Sequence, residues 1–144
     1  MSHVAKIEIE IKDLEALEAA CKRLGFSLVR EQKTFAWFGK HVGDYPLPEG
    51  FSVSDMGRCE HAIKVPGASY EVGVVKRRDG RPGYTLLWDF FKSGNLAKYV
   101  GDNGQKLVQA YGVESATRAA RRQGYSVTET AREDGSIVLK VRAS

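Results

Sequence analysis

The chain has 144 residues, a length that fits one domain able to bury a core without disulfides or structural metal. Its hydrophobic content of 42% and charged content of 28% are ordinary for a soluble globular protein, and no apolar run is long enough for a membrane helix. The formal net charge of +4 permits an anionic partner without requiring one. We therefore expect a single α+β domain over residues 1–144 and no membrane association.

The N-terminal segment changes from a strand pattern to a helix pattern. Residues 4–11 alternate apolar and charged side chains, which predicts a half-buried strand. Asp13 is a suitable N-cap for a helix whose apolar stripe runs to Leu24, and Gly25 is a suitable stop. A signal peptide instead begins with basic residues before an apolar run, so we expect a cytoplasmic protein.

The next segment loses its periodicity. Residues 26–30 and the aromatic residues 34–38 predict two short strands. Residues 39–58 are rich in Gly and Pro and lack any period, which predicts a long loop. Long loops often carry function, so this loop is one candidate binding surface.

The middle of the chain predicts an antiparallel meander. Residues 59–65, 70–74 and 84–91 have strand patterns, with Cys59 and His61 expected on one face of the first strand. The segment KRRDGRPG at 76–83 contains the Asp-Gly turn signal and predicts a basic hairpin tip. Consecutive short connections favour antiparallel pairing over parallel winding.

The C-terminal part adds a second helix and two strands. Residues 92–102 form a polar connection with a helical turn, and residues 103–123 predict a helix. Residues 125–130 and 136–141 predict strands joined by a turn. The predicted fold is α+β, with a mostly antiparallel sheet of about six or seven strands and two helices packed on one face. We expect it to be ferredoxin-like with an inserted hairpin.

Several segments of the chain resemble a known family. The segments MSHVAKIEIEIKDLEALEAACKRLGF, YEVGVV, YTLLWDF, LVQAYGVESATRAARRQGYSV and EDGSIVLKV occur in this order. Together they are similar to a small domain family of unknown function. It is named from a hypothetical chloroplast reading frame (number thirty-five) and also occurs in cyanobacteria, other bacteria and phages. The resemblance implies a compact α+β domain and no activity. The chain departs from the family pattern at residues 39–58 and at the basic turn KRRDGR.

Metal and thiol chemistry depends on few residues. The soft ligands in the sequence are His3, Cys21, His41, Cys59 and His61. Cys59 and His61 are two residues apart, whereas a zinc site normally takes close ligand pairs from two places. A core cysteine beside a hydrogen-bonded histidine is the alternative. We therefore predict no cofactor and no metal ligand. A metal-binding or enzymatic protein centred on Cys59 and His61 is a third hypothesis.

The sequence lacks the common catalytic motifs, including the nucleophile elbow, the phosphate loop and the dinucleotide fingerprint. Residues 101–104 precede a helix, where their amides could meet an anion or where Asp102 or Asn103 could cap the helix. Asp89 lies in an apolar strand and is either a tuned carboxylate or a solvent-facing residue at the strand end. We predict no catalytic residue.

Basic residues suggest a binding surface. They cluster in the hairpin at 76–81 and on the helix at 118–122. Phosphates bind clusters of cations, and an aromatic side chain can stack on bases. The leading hypothesis is a non-enzymatic accessory or adaptor protein that binds a larger protein or assembly through the hairpin and the loop at 39–58. A nucleic-acid-binding protein is the alternative. The candidate partner-binding residues are Lys76, Arg77, Arg78, Arg81, Arg118, Arg121, Arg122 and Trp37.

Overall fold

The computed structural model describes residues 2–143 and has a mixed α+β architecture. Its strands and helices follow one another in chain order, with 3₁₀ turns at Val53–Asp55 and Lys92–Gly94. The elements are β1 (Val4–Ile11), α1 (Leu14–Leu24), β2 (Ser27–Arg30), β3 (His61–Lys64), β4 (Val72–Lys76), β5 (Tyr84–Asp89), α2 (Ala97–Val100), α3 (Gln105–Arg122), β6 (Tyr125–Ala131) and β7 (Ile137–Ala143). None of the helices between residues 2 and 143 combines the length and apolarity needed to cross a bilayer.

The main sheet has five antiparallel strands in the order β1-β5-β4-β3-β2. Helix α1 connects the two edge strands, and β2 to β5 follow one another without an intervening α-helix. A ferredoxin-like chain alternates strands and helices as β-α-β-β-α-β, so that predicted arrangement is not confirmed.

The C-terminal strands do not extend the main sheet. β6 pairs with β7 in a separate two-stranded sheet, so the predicted single sheet of six or seven strands is divided. Gly124, with a φ of 85°, lies directly between α3 and β6. β6 contacts that helix.

Helices α1 and α3 cover one face of the main sheet, where the sequence predicts two helices, and Val100 of the additional short helix α2 is buried in the same apolar cluster. Asp13 caps α1 by accepting a hydrogen bond of 3.1 Å from the Ala16 amide, and α1 packs beside α3. The Tyr111 hydroxyl on α3 accepts hydrogen bonds from the amides of Lys12 and Asp13 and joins the two helices. The predicted cap of the second helix is wrong, because the cap position of α3 is Gly104 in the left-handed region.

Residues 31–60, between β2 and β3, form an irregular covering segment on the other face of the main sheet. Phe35, Phe51 and Met56 are buried there against residues of the sheet and form the loop-covered cluster. The predicted strand at 34–38 is wrong and is reduced to a single bridge from Thr34 to Arg58. Beyond this bridge, the Ala36 amide donates to the Glu71 carboxylate at 2.9 Å, and the Ala36 carbonyl accepts from the Glu71 amide at 2.9 Å.

Candidate protein-interaction surface

The basic hairpin at 76–81 and the loop at 39–58 meet in space, although they are separate in the sequence. The guanidinium carbon of Arg78 lies 4.6 Å from the centre of the Phe51 ring, a cation–π geometry. The same guanidinium is 3.4 Å from the Asp55 carboxylate. The two candidate regions therefore form one continuous surface with Arg78 at their junction.

A cleft of about 660 Å³ lies between the hairpin, the loop and β1. β1 changes register there, because Ile7 pairs with Leu86 and Ile11 pairs with Tyr84. Such a bulge leaves strand residues without a ladder partner and opens the sheet locally. The charged residues that line the cleft are Lys6, Glu8, Glu10, Glu49, Arg77, Arg78 and Asp79.

Arg77 holds the hairpin in place. Its guanidinium is 2.9 Å from the Glu10 carboxylate and also forms an ion pair with Asp79, and only 12% of its side chain is exposed. This guanidinium lowers the pKa of both carboxyl groups below their usual values, chiefly through hydrogen bonds. Arg77 is thus committed to internal contacts and is a structural residue of the surface.

The other basic residues of the hairpin face solvent. Lys76 ends β4 and is exposed, while its backbone amide donates to the Glu60 carboxylate at 2.8 Å. The Arg81 side chain is 71% exposed, and its guanidinium lies 3.9 Å from the Glu10 carboxylate. An exposed pair at this distance is weak. Lys76, Arg78 and Arg81 are therefore the hairpin cations that an incoming partner can reach.

The arginines of α3 belong to a different groove, between α1 and α3. Arg118 is 3.5 Å from Glu15, and Arg122 is 3.6 Å from Asp13. Arg121 is exposed and lines this groove with them. The groove shares no lining residue with the cleft beside the hairpin. The two basic clusters therefore line different grooves.

Trp37 lies in the covering segment and does not line the cleft beside the hairpin. Its indole is half-buried against the loop-covered cluster and fills the space beside Gly57. Gly57 has a φ of 82°, and any side chain there would collide with the indole. This packing gives Trp37 a structural role, with only part of the ring open to a partner.

Cys59 and His61 point to opposite sides of the sheet, contrary to the predicted common face. The Cys59 thiol packs in the loop-covered cluster and donates to the Gln32 carbonyl at 3.2 Å. His61 Nδ1 accepts a hydrogen bond of 3.0 Å from the Glu31 amide. Burial raises the pKa of the Cys59 thiol to about 12, so this side chain is a protonated thiol at neutral pH.

The remaining soft ligands are also dispersed. Cys21 is buried in the apolar cluster between the helices and the main sheet. Burial raises the pKa of its thiol to about 12. His3 Nε2 is 2.7 Å from the Asp44 carboxylate and anchors the start of the loop at 39–58. Across residues 2–143, no three His, Cys, Asp or Glu side chains are grouped in a way that could hold a metal ion.

Asp89 is fully buried at the end of β5, so the alternative in which it faces solvent at the strand end is wrong. Its carboxylate accepts hydrogen bonds from the backbone amides of His3, Phe38 and Phe91, at 3.0, 3.1 and 3.2 Å. The signal was its position between Trp88 and Phe90, since a charge in an apolar run is either at an edge or fully satisfied. Asp89 thus fixes both the N-terminus and the covering segment to the sheet.

Comparison of the chain with protein-family models, curated proteins and solved structures finds no match. The functional argument therefore depends on the residues and geometry of this chain alone.

Proposed function

We propose that the protein is a non-enzymatic accessory or adaptor protein that binds a larger protein or assembly. Its binding surface is the hairpin at 76–81 together with the loop at 39–58. The observation that carries this proposal is the contact of Arg78 with both Phe51 and Asp55, which joins the two regions. A surface held in one geometry before binding loses less conformational freedom when the partner arrives.

The charge pattern of the cleft supports a protein partner. Acidic side chains at Glu8, Glu10 and Glu49 stand beside the cations Lys6 and Arg78. A nucleic-acid surface gains its affinity from cations that replace counterions on phosphates, so carboxylates in the same cleft oppose it. Protein interfaces instead match charges of both signs, and this cleft presents both.

Nucleic-acid binding is the second candidate function. Arg81 on the hairpin and Arg121 on α3 favour it because both are exposed, and the formal net charge is +4. Since the two basic clusters occupy separate grooves, such binding would use one cluster at a time. It predicts an affinity that falls steeply as the salt concentration rises.

The family resemblance and the cellular setting form part of the same proposal. The ordered segments from MSHVAKIEIEIKD to EDGSIVLKV support membership of the small family of unknown function described above. We also propose that the protein acts in the cytoplasm. Neither inference supplies a reaction.

The experiment is affinity capture of the tagged protein from its native extract, with and without nuclease. The Arg78→Glu variant tests the surface, because it reverses the charge at the junction of hairpin and loop. Lys64→Glu is the matched control, since Lys64 is exposed and β3 runs antiparallel to β4, which places it at the other end of the sheet.

A stoichiometric protein that survives nuclease, is retained by Lys64→Glu and is lost with Arg78→Glu supports the adaptor function. Partners that vanish with nuclease would move nucleic-acid binding to first place. Equal capture of the same proteins by both variants would show that the proposed surface is wrong.

A further inference from the structure

Within residues 2–143, the two sheets end in the edge strands β1, β2, β6 and β7, and the first, second and fourth of these carry protection against pairing with another chain. Proteins protect such edges with short strands, bulges or charged side chains. β2 has only four residues. β1 carries the register irregularity between Ile7 and Ile11.

The β7 edge is protected by charge. Lys140 and Arg142 are exposed on the polar face of the hairpin formed by β6 and β7. If two β7 strands paired antiparallel about their centre, Lys140 would lie directly opposite Lys140. Like charges in directly opposed positions destabilise a sheet.

The β6 edge has none of these protections. It has seven residues, of which six are exposed, and its polar face carries Ser126, Thr128 and Thr130. Its one charged residue, Glu129, forms an ion pair of 2.9 Å with Arg23 of α1 and is directed toward the helices. Threonine is favoured in strands, so β6 is well suited to accept a neighbour.

The hairpin also exposes apolar side chains at its open end. Tyr125 pairs with Ala143, and Val127 pairs with Val141, so all four share one face. Tyr125 is 40% exposed and Val141 is 50% exposed. A two-stranded hairpin is marginally stable by itself, and further strands would extend and stabilise it.

We propose that β6 pairs antiparallel with β6 of a second copy of this chain, centred on Thr128. The result is a four-stranded sheet across a two-fold axis, with an isologous interface. In this register Val127 of one copy lies opposite Glu129 of the other, and Tyr125 lies opposite Ala131. Ser126 lies opposite Thr130, so no like charges face each other. This self-complementarity favours a second copy over a foreign strand.

The test is the sedimentation of the full purified chain over a wide range of protein concentration. The wild type is expected to show a monomer–dimer equilibrium. Thr128→Glu places two carboxylates opposite each other at the centre of the interface, and we expect the dimer dissociation constant to rise about tenfold or more. Within one copy the new carboxylate faces Lys140, so the hairpin itself gains a favourable pair.

A charge-swap mixture separates loss of pairing from loss of folding. Thr128→Lys alone is also expected to be monomeric, whereas an equal mixture of Thr128→Glu and Thr128→Lys is expected to form a heterodimer with Glu opposite Lys. A wild type that stays monomeric at every concentration would overturn the proposal. So would a Thr128→Glu variant that dimerises as well as the wild type, or a mixture that remains monomeric while both variants are folded.

Discussion

The two faces of the main sheet are closed in different ways. On one face, α1 and α3 present regular apolar stripes, and residues such as Leu17 and Leu107 are fully buried. On the other face, an irregular segment is held by a few side chains, chiefly Phe35, Phe51 and Met56. Many side chains share the packing of the helix-covered face, whereas few side chains hold the loop-covered face. We therefore expect single substitutions to have larger effects on the loop side, which also carries the proposed binding surface.

The largest effect is expected at Asp89, which joins the loop-covered face to the N-terminus. Asp89→Ala leaves the amides of His3, Phe38 and Phe91 without their acceptor in a buried site. We expect the free energy of unfolding to fall by about 3 to 5 kcal/mol, measured by chemical denaturation. A loss below about 1 kcal/mol would mean that these bonds do not hold the covering segment.

Asp89→Asn sharpens the comparison because the two carboxylate oxygens serve different segments. Oδ1 accepts from His3 and Phe91, and Oδ2 accepts from Phe38. An amide can keep the first oxygen but turns an NH₂ group toward the Phe38 amide. We expect faster hydrogen exchange at Phe38 and little change at His3. Equal acceleration at both amides would contradict the assigned roles.

Gly73 and Gly112 give a matched pair of glycine substitutions on the two sides. The Phe35 ring occupies the space that a Gly73 side chain would need, so Gly73→Ala should displace the ring and cost about 1 to 3 kcal/mol. Gly112 lies inside α3 with open space around it, so Gly112→Ala should stabilise by about 0.5 to 1 kcal/mol. Thermal denaturation measures the change in stability of both variants. An unchanged stability of Gly73→Ala would show that the loop-covered face accommodates an added side chain as readily as the helix side.

His61 links stability to pH. Burial lowers the pKa of His61 below its usual 6.5, so the unfolded chain binds this proton more readily than the folded one. The contribution of neutral His61 to the free energy of unfolding is complete above about pH 6.5. It is lost as the pH falls below that value toward the pKa of His61 in the folded chain. Denaturation midpoints should therefore fall between neutral and mildly acidic pH, and His61→Gln should remove that part of the slope. An unchanged slope in the variant would assign it to other groups.

A small stabilising effect is expected on the helix side at Thr117. Its hydroxyl oxygen is buried, and no hydrogen-bond partner for it is present among the described residues. Thr117→Val removes this polar atom and keeps the shape of the side chain, so the protein should be stabilised by about 1 kcal/mol. Thr117→Ala is the control, because it also leaves a small void. A destabilised Thr117→Val would mean that the hydroxyl has a partner in solution.

The helix side could be predicted from sequence because its signals are local. Asp13, the apolar stripe of α1 and Gly25 define that helix within a dozen residues, and the Asp-Gly turn defines the hairpin after β4. The separation of the C-terminal hairpin was missed because pairing of β6 depends on where Gly124 directs the chain.

The loop side could not be predicted because its contacts are long-range and irregular. Arg78 contacts Phe51 and Asp55 only through tertiary packing, which no periodic sequence pattern predicts. The bonds of Asp89 join positions 3, 38 and 91, which only the folded sheet brings together. The candidate residues of the hairpin were identifiable by composition, but their division from the arginines of α3 was not.

Amide hydrogen exchange of the wild-type chain tests most directly whether the loop-covered face is a fixed surface. The amides of Phe51, Asp55, Met56 and Arg58 each donate to a backbone carbonyl within or beside the loop. The account predicts that these amides are protected, and that Arg78→Glu lowers their protection while the amides of α1 remain unchanged. Exchange of all four at the rate of an unstructured chain would contradict the fixed surface on which the proposed function depends.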